Sequence, residues 1–193
     1  RMKMRAIYKR ELKSYFTSMI GYVFIAFFLA VIGLFFYANN LTSGNPNFGW
    51  VLYNVSFLFM LLIPILTMRI MAEEKKQKTD QLLLTSPVSP SQIVFGKYLA
   101  VLSIYAIVIA IISTFPLMLN QFGKVPFGLC YSSILGFLLL GAAFISIGLF
   151  ISSLVESQIV ASVITFITIL ITYFIDSVVA MLPTDHKSTW IIL

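Results

Sequence analysis

The chain has 193 residues, of which 60% are apolar and only 10% charged, whereas soluble domains are usually about half apolar and about a quarter charged. A water-soluble globular domain is excluded, because too few polar groups are present to cover its surface. The net charge of +6 is gathered in short clusters at the ends of apolar runs, which indicates membrane topology rather than nucleic-acid binding.

The first segment, Met2–Phe16, is predicted to be an amphipathic helix lying along the inner membrane surface. At 100° per residue its apolar side chains share one face, and anionic lipid headgroups would attract the opposite, basic face. The alternative is a basic flank that only sets topology. Glu11 falls inside the apolar arc and is expected to be paired or else exposed, with pairing favoured. The apolar face contains Met4, Ile7, Tyr8, Leu12 and Tyr15, and the basic face contains Lys9, Arg10 and Lys13.

Five apolar runs are long enough to cross a bilayer as helices, which takes about 20 residues. Their polarity does not alternate as it does in β-barrel strands. We therefore predict an all-α integral membrane protein that forms a single transmembrane domain over residues 1–193. The predicted spans are Ser18–Tyr37, Val51–Met71, Ile93–Leu119, Phe127–Leu154 and Ser157–Leu182.

The lysines and arginines predict that the amino terminus is cytoplasmic. Six precede the first run and five lie between or beside the second and third runs, while only Lys124 and Lys187 fall elsewhere. With the amino terminus inside, eleven cations lie inside and two outside, as the positive-inside rule requires. The uncharged segment Ala38–Gly49 is then an outer loop, and the chain is predicted to be a multi-pass protein of the cell membrane.

Residues 72–92 are predicted to project into the cytoplasm as a short helix, a turn and a sharply defined return to the membrane. The segment is charged over Glu73–Gln81, apolar over Leu82–Leu84, and broken at Pro87. Three adjacent leucines would be costly in water, so they favour docking on this protein's own helices or on a soluble partner. The alternative is a solvated loop, since charge runs are usually solvated.

The third run begins with a helix-start pattern. Ser89 is the predicted N-cap, Pro90 stands at the first helical position, and Gln92 completes a capping box. Val88 and Ile93 have the spacing of a hydrophobic staple.

The loop Met71–Val88 resembles the first cytoplasmic loop of permease subunits of type-2 ABC (ABC-2) transporters, and more narrowly the branch that includes gliding-motility-type permeases. Lys9–Phe16 resembles the amino-terminal elbow helix of that family, here residues 1–17. The segments Pro64–Arg69 and Ser152–Gln158 agree with the same family. Members usually have six spans, so the resemblance implies that the sixth is absent from this chain.

The loop departs from the family pattern at two places. Lys78 stands where a glycine is common, and Asp80-Gln81 stands where an apolar residue followed by Glu is common. Both departures concern the details of the loop contacts.

The resemblance implies a permease subunit of an ATP-driven exporter. The first cytoplasmic loop is expected to be a coupling helix in a groove of a separate ABC ATPase chain, which holds ATP and Mg²⁺, because this chain has no G-x-x-x-x-G-K-[ST] motif. No cofactor, metal or nucleic acid is expected on this chain, and a second copy or a similar permease is expected as a further partner. The expected ATPase-coupling residues are Glu73, Glu74, Lys75, Thr79, Asp80, Leu82, Leu83, Leu84 and Pro87, and the elbow-helix residues are Lys9, Arg10 and Glu11.

Two carboxylates are candidates for transport or packing. Asp176 is the only one inside a predicted span and is expected either to take part in transport or to be solvated or hydrogen-bonded near the outer interface. Glu156 lies in the turn after the fourth span. Pro64 and Pro116 are expected to kink their spans. The fourth span is rich in small residues, which predict close helix packing either within the protein or at a dimer seam: Gly136, Gly141, Ala142, Ala143, Ser146 and Gly148.

Three classes of function can be compared with this pattern. A permease subunit leads, and a membrane scaffold or assembly component that transports nothing is the alternative. An intramembrane enzyme is disfavoured, because the spans contain no paired carboxylates, no serine–histidine arrangement and no metal-ligand motif. Cys130 and His186 have no ligand cluster around them. The spans carry no strongly polar stripe, which favours a lipid-like or amphipathic cargo over a small ion.

Overall fold

The computed structural model describes residues 2–76, 89–121 and 125–181. Within these ranges the secondary structure is helical, with no β-strand, which confirms the predicted all-α class. In chain order the helices are α1 (Met2–Thr17), α2 (Ile20–Phe36), a π-helical segment (Tyr37–Thr42), α3 (Gly49–Thr67), α4 (Arg69–Lys76), α5 (Pro90–Ile112), α6 (Phe115–Leu119), α7 (Phe127–Leu154) and α8 (Gln158–Met181).

Five stretches of the described chain are long and apolar enough to cross a membrane, which confirms the predicted number. They are Gly21–Thr42, Gly49–Ala72, Pro90–Leu119, Phe127–Leu154 and Gln158–Ile175. α3 is the central helix, since it packs against α2, α7, α8 and α4, while α5 packs against α1, α2 and α7.

The predicted outer loop is shorter than expected, because the first span continues past Phe36 as the π-helical segment. Polar side chains bond back to carbonyls four or five residues earlier and so stabilise the wider turn: Asn39 Nδ2 donates to Phe35 O (3.0 Å), Thr42 Oγ1 to Tyr37 O (3.0 Å) and Ser43 Oγ to Ala38 O (2.9 Å). The sequence-based start of this loop at Ala38 was therefore wrong.

The third predicted span consists of two helices. α5 ends at Ile112, and α6 begins at Phe115 with Pro116 in its first turn. Proline has no N–H to donate, and its ring clashes with the carbonyl four residues earlier, here that of Ile112. Pro116 thus accompanies a two-residue interruption, Ser113-Thr114, within the single apolar stretch Pro90–Leu119. Pro64 lies inside α3, three residues before that helix ends. The kinks expected at these prolines stay predictions.

The predicted capping box at the start of α5 does not form. Ser89 is the N-cap by position, and its carbonyl accepts a bond from Gln92 N at 3.0 Å. Its hydroxyl makes no capping bond and instead lies 3.2 Å from Ser91 Oγ. The contact between the two serine hydroxyls therefore takes the place of the side-chain cap. Val88, one of the two residues of the predicted hydrophobic staple, lies outside the described residues.

Aromatic rings fill the middle of the bundle. Phe59 of α3 lies 5.0 Å from Tyr105 of α5 and 4.9 Å from Phe137 of α7, measured between ring centroids. Tyr105 is fully buried and donates its hydroxyl to the carbonyl of Phe137 at 2.7 Å. The one polar atom of this cluster therefore has a partner, as a hydroxyl away from water requires.

α1 is a separate helix that packs on α5. It ends at Thr17, and Met19, in the left-handed conformation (φ 59°), separates it from α2. The predicted apolar face is the one that packs, because Ile7 and Tyr15 are buried while Lys9 and Lys13 are exposed. This face contacts the protein's own helices. The predicted orientation of α1 along the membrane stays a prediction.

Candidate functional site at the α4 junction

α4 continues the second span beyond a single intervening residue, Met68. Its first turns are held tightly against the bundle, since Ile70 is 3% exposed and Ala72 is fully buried. The helix packs against α3, α7 and α8. The four residues that fix it, Glu11, Ile70, Lys97 and Ser152, are called the α4 junction below.

Ser152, in the last turn of α7, clamps the joint between α3 and α4. Its hydroxyl oxygen accepts hydrogen bonds from the backbone N–H groups of Met71 and Ala72, both at 3.1 Å, and donates to the carbonyl of Met68 at 3.2 Å. A hydroxyl has one donor and two acceptor positions, so all three are in use. The two N–H groups lie in the first turn of α4, where a helix has no internal acceptors for them.

Lys97 of α5 holds the same turn of α4 from another side. It is 1% exposed, and its Nζ donates to the carbonyl of Ile70 at 2.7 Å. A buried ammonium is costly unless it is paired and hydrogen-bonded. Glu11 Oε1 lies 3.8 Å from this Nζ, so the carboxylate of α1 provides the countercharge.

Glu11 is paired, as the sequence analysis favoured. Besides the contact with Lys97, its Oε1 accepts a hydrogen bond from Arg10 at 2.8 Å. The Glu11 side chain is only 12% exposed, whereas that of Arg10 is 53% exposed. The contacts explain why a carboxylate lies within the apolar face of α1, because Glu11 provides the negative charge that faces the buried ammonium of Lys97 next to α4.

Two further bonds join α1 to the bundle near this junction. Tyr15 Oη donates to the carbonyl of Leu66, near the end of α3, at 2.9 Å. Tyr8 Oη and Ser103 Oγ of α5 lie 2.9 Å apart. The junction therefore links α1, α4, α5 and α7 through polar contacts, which depend strongly on direction and distance.

The structure reaches only part of the predicted coupling segment. Glu73, Glu74 and Lys75 lie in α4, which confirms a helix there, although their side chains are outside the described structure. Six residues expected to couple to an ATPase lie outside the described residues: Thr79, Asp80, Leu82, Leu83, Leu84 and Pro87.

The other candidates occupy different parts of the molecule. Lys9 and Arg10 are exposed on α1, and Glu156 is exposed in the break between α7 and α8. Asp176 lies in α8, with its side chain outside what the structure describes. The small residues of α7 divide: Gly141 and Gly148 are buried against neighbouring helices, whereas Gly136 is exposed.

Sequence reasoning missed the two central residues of the junction. Lys97 was counted only as a topological charge, yet it stands inside the predicted span Ile93–Leu119, where an ionisable residue is a functional candidate by default. That signal could have identified it. Ser152 carried no such signal, because its contacts join residues 80 or more positions apart.

The described residues contain no group of three or more His, Cys, Asp or Glu side chains that could hold a metal ion. What the junction provides is mechanical, since it fixes one short helix to three others.

Comparison with known proteins gives one match. Residues 37–193 match the profile of the family described as ABC-2 family transporter protein. No curated protein and no solved structure matches the chain.

Proposed function

The chain belongs to the ABC-2 family of transporter proteins, and on this premise we propose that it is the permease subunit of an ATP-driven ABC exporter. A separate ABC ATPase chain holds ATP and Mg²⁺ and drives the permease, and a second copy or a similar permease completes the transporter. The α1 end of the bundle faces the cytoplasm of a cell. The sequence of the loop Met71–Val88 supports the gliding-motility-type branch.

The observation that carries the proposal is the fixation of α4. The predicted ATPase-binding loop continues directly from this helix, so a displaced loop moves α4 first. Without lateral contacts, α4 would pivot at Met68 and the motion would be lost at that joint. Ser152 bonds to Met68 at the joint and to Ala72 in the first turn of α4, and Lys97 bonds to the carbonyl of Ile70 between them. A push on the loop is then transmitted to α5 and α7.

The strength of these contacts is sufficient for this role. A hydrogen bond to a charged group contributes about 1.5–3 kcal/mol, and a neutral one about 0.5–1.5 kcal/mol. The bonds of Lys97 and Ser152 together make pivoting at Met68 costly compared with thermal energy. We therefore expect α4 to move together with the helices it is bonded to rather than to bend at Met68.

The test compares two adjacent serines of α7. Ser152→Ala removes the clamp, whereas Ser153→Ala removes only a bond to Phe150 O within the same helix. Each variant is purified with the partner ABC ATPase of the transporter, and ATP hydrolysis is measured with and without the permease. Ser152→Ala should still bind the ATPase but lose most of the permease-dependent stimulation, and Ser153→Ala should behave as the unaltered chain.

Two results would count against the proposal. Equal behaviour of the two variants would show that the clamp does not transmit motion. If the unaltered chain neither binds nor stimulates an ATPase, the alternative of a non-transporting membrane scaffold would be favoured.

A further inference from the structure

A basic cavity of about 380 Å³ lies at the same end of the molecule as the α4 junction. It is a shallow cavity, widely open at the surface, and most of its lining residues are exposed. Among the side chains that the structure describes, the lining contains three cations, three hydroxyl groups and no carboxylate: Arg10, Lys13, Ser14, Thr17, Ser18 and Arg69. The lining belongs to two helices distant in sequence, since Arg69 begins α4 while the other residues belong to α1 and the turn after it.

The chemistry of this lining fits a phosphate group. Guanidinium groups bind phosphate oxygens through parallel N–H bonds, and lysine adds a point charge. Hydroxyl groups can donate to the remaining oxygens. Arg10 also bonds to the carboxylate of Glu11, which Lys97 faces as well. Arg10 therefore balances part of that charge, and the other two cations, Lys13 and Arg69, supply most of the positive charge of the cavity.

The position of the cavity indicates the source of the phosphate. Ser18 is three residues before the first membrane-spanning stretch, and Arg69 lies in the last turns of the second. This is the level of the lipid headgroups, just outside the hydrocarbon core. Met19, which follows Ser18, and Tyr22 and Val23 in the first turn of α2 are exposed, and they form an apolar surface suited to acyl chains.

We propose that this cavity binds the phosphate of an anionic phospholipid headgroup, and so joins α1 and α4 through a lipid. This goes beyond the proposed transport function and does not depend on it. A bound phosphate would bridge Arg69 on α4 to Arg10 and Lys13 on α1. The position of α4 would then respond to the anionic lipid content of the membrane.

The test measures lipid binding to the full chain in detergent by native mass spectrometry. The probes are phosphatidylglycerol, phosphatidylcholine and inorganic phosphate. The site variant is Lys13→Gln with Arg69→Gln. Lys13→Gln alone is also compared with the control Arg5→Gln, which removes the same charge from an exposed position of α1 outside the cavity and off the basic face. Phosphatidylglycerol should bind about tenfold or more weakly to the site variant and nearly normally to the control.

Four outcomes complete the design. Equal loss in Lys13→Gln and in the control Arg5→Gln would overturn the proposal, because it would indicate general attraction of lipid to a basic surface. Equal binding of phosphatidylcholine would also overturn it. A response to inorganic phosphate that matches the response to phosphatidylglycerol would reassign the site to a soluble phosphate compound. If the double variant does not fold, Lys13→Gln alone should still weaken binding and Arg69→Lys should preserve it.

Discussion

At the scale of single residues, two glycines of α7 explain how closely the helices pack. A Cβ atom added to Gly141 would lie about 2.5 Å from Cζ of Tyr105, and one added to Gly148 would lie about 2.7 Å from Cβ of Thr67. Both distances are shorter than van der Waals contact. Small residues let helices approach in this way in membranes, and here they serve packing within the chain.

Gly141→Ala is predicted to destabilise the protein. The Tyr105 ring cannot move away easily, because it is buried, hydrogen-bonded to Phe137 and packed on Phe59. Overpacking of this kind costs about 1–3 kcal/mol, which exceeds the gain of up to about 1 kcal/mol from alanine in a helix. Thermal unfolding in detergent should show a lower midpoint. Gly136→Ala is the control, since an added Cβ there meets nothing within 4 Å, and its midpoint should be unchanged or higher.

Glu11 and Ser152 differ in how far the sequence alone could predict their roles. The helical period placed Glu11 inside an apolar arc, so a partner could be expected before any contact was known. Ser152 is an ordinary serine near a helix end, and its role depends on the arrival of α4 from another part of the chain. Tertiary proximity of this kind leaves no local pattern.

At the scale of elements, hydropathy predicted helices well where polarity changes sharply. Phe127–Leu154 was predicted with both ends correct, because Pro126 precedes it and the polar break Val155–Ser157 follows it. Hydropathy did not predict the helix ends that lie within a continuous apolar run. Ser113 and Thr114 lie at the break between α5 and α6, and their hydroxyls donate to Ala110 O and Ile111 O. Because these polar groups have partners within the chain, the pair can lie inside an apolar run, and hydropathy does not reveal the break.

Leu83→Asp is predicted to weaken association with the ATPase. If the leucine triplet is buried in the partner's groove, a carboxylate there costs several kcal/mol unless it is solvated. Insertion should be unaffected, since no membrane span is changed. Co-purification of the ATPase should fall sharply. Reversal of the charges of Glu73 and Glu74 should have a smaller effect, because rim charges tune specificity and association rate more than affinity.

One control and one contrary outcome complete this test. Ser153→Ala should retain normal co-purification, which excludes a general effect of altering this end of the bundle. If Leu83→Asp and the charge reversal both leave ATPase binding and turnover unchanged, the loop is not the coupling element.

At the scale of the whole molecule, orientation rests on the distribution of charge. Lys97 was counted among the eleven inside cations, but it is buried and bonded within the junction. Setting it aside leaves ten inside and two outside, so the asymmetry persists. The same end carries the α4 junction and the basic cavity, and the proposed coupling requires this end to lie in the cytoplasm.

Cysteine labelling tests this orientation. Asn40, in the first outer segment, is a poor position because it is only 3% exposed, whereas Ser43 and Ser91 are exposed at opposite ends of the bundle. Each is changed to cysteine in a Cys130→Ala background, which removes the one native thiol. A membrane-impermeant maleimide should label Ser43→Cys on intact cells and Ser91→Cys only after permeabilisation. The reverse pattern would place α4 outside the cell, away from any cytoplasmic ATPase, and would overturn the proposed coupling together with the topology.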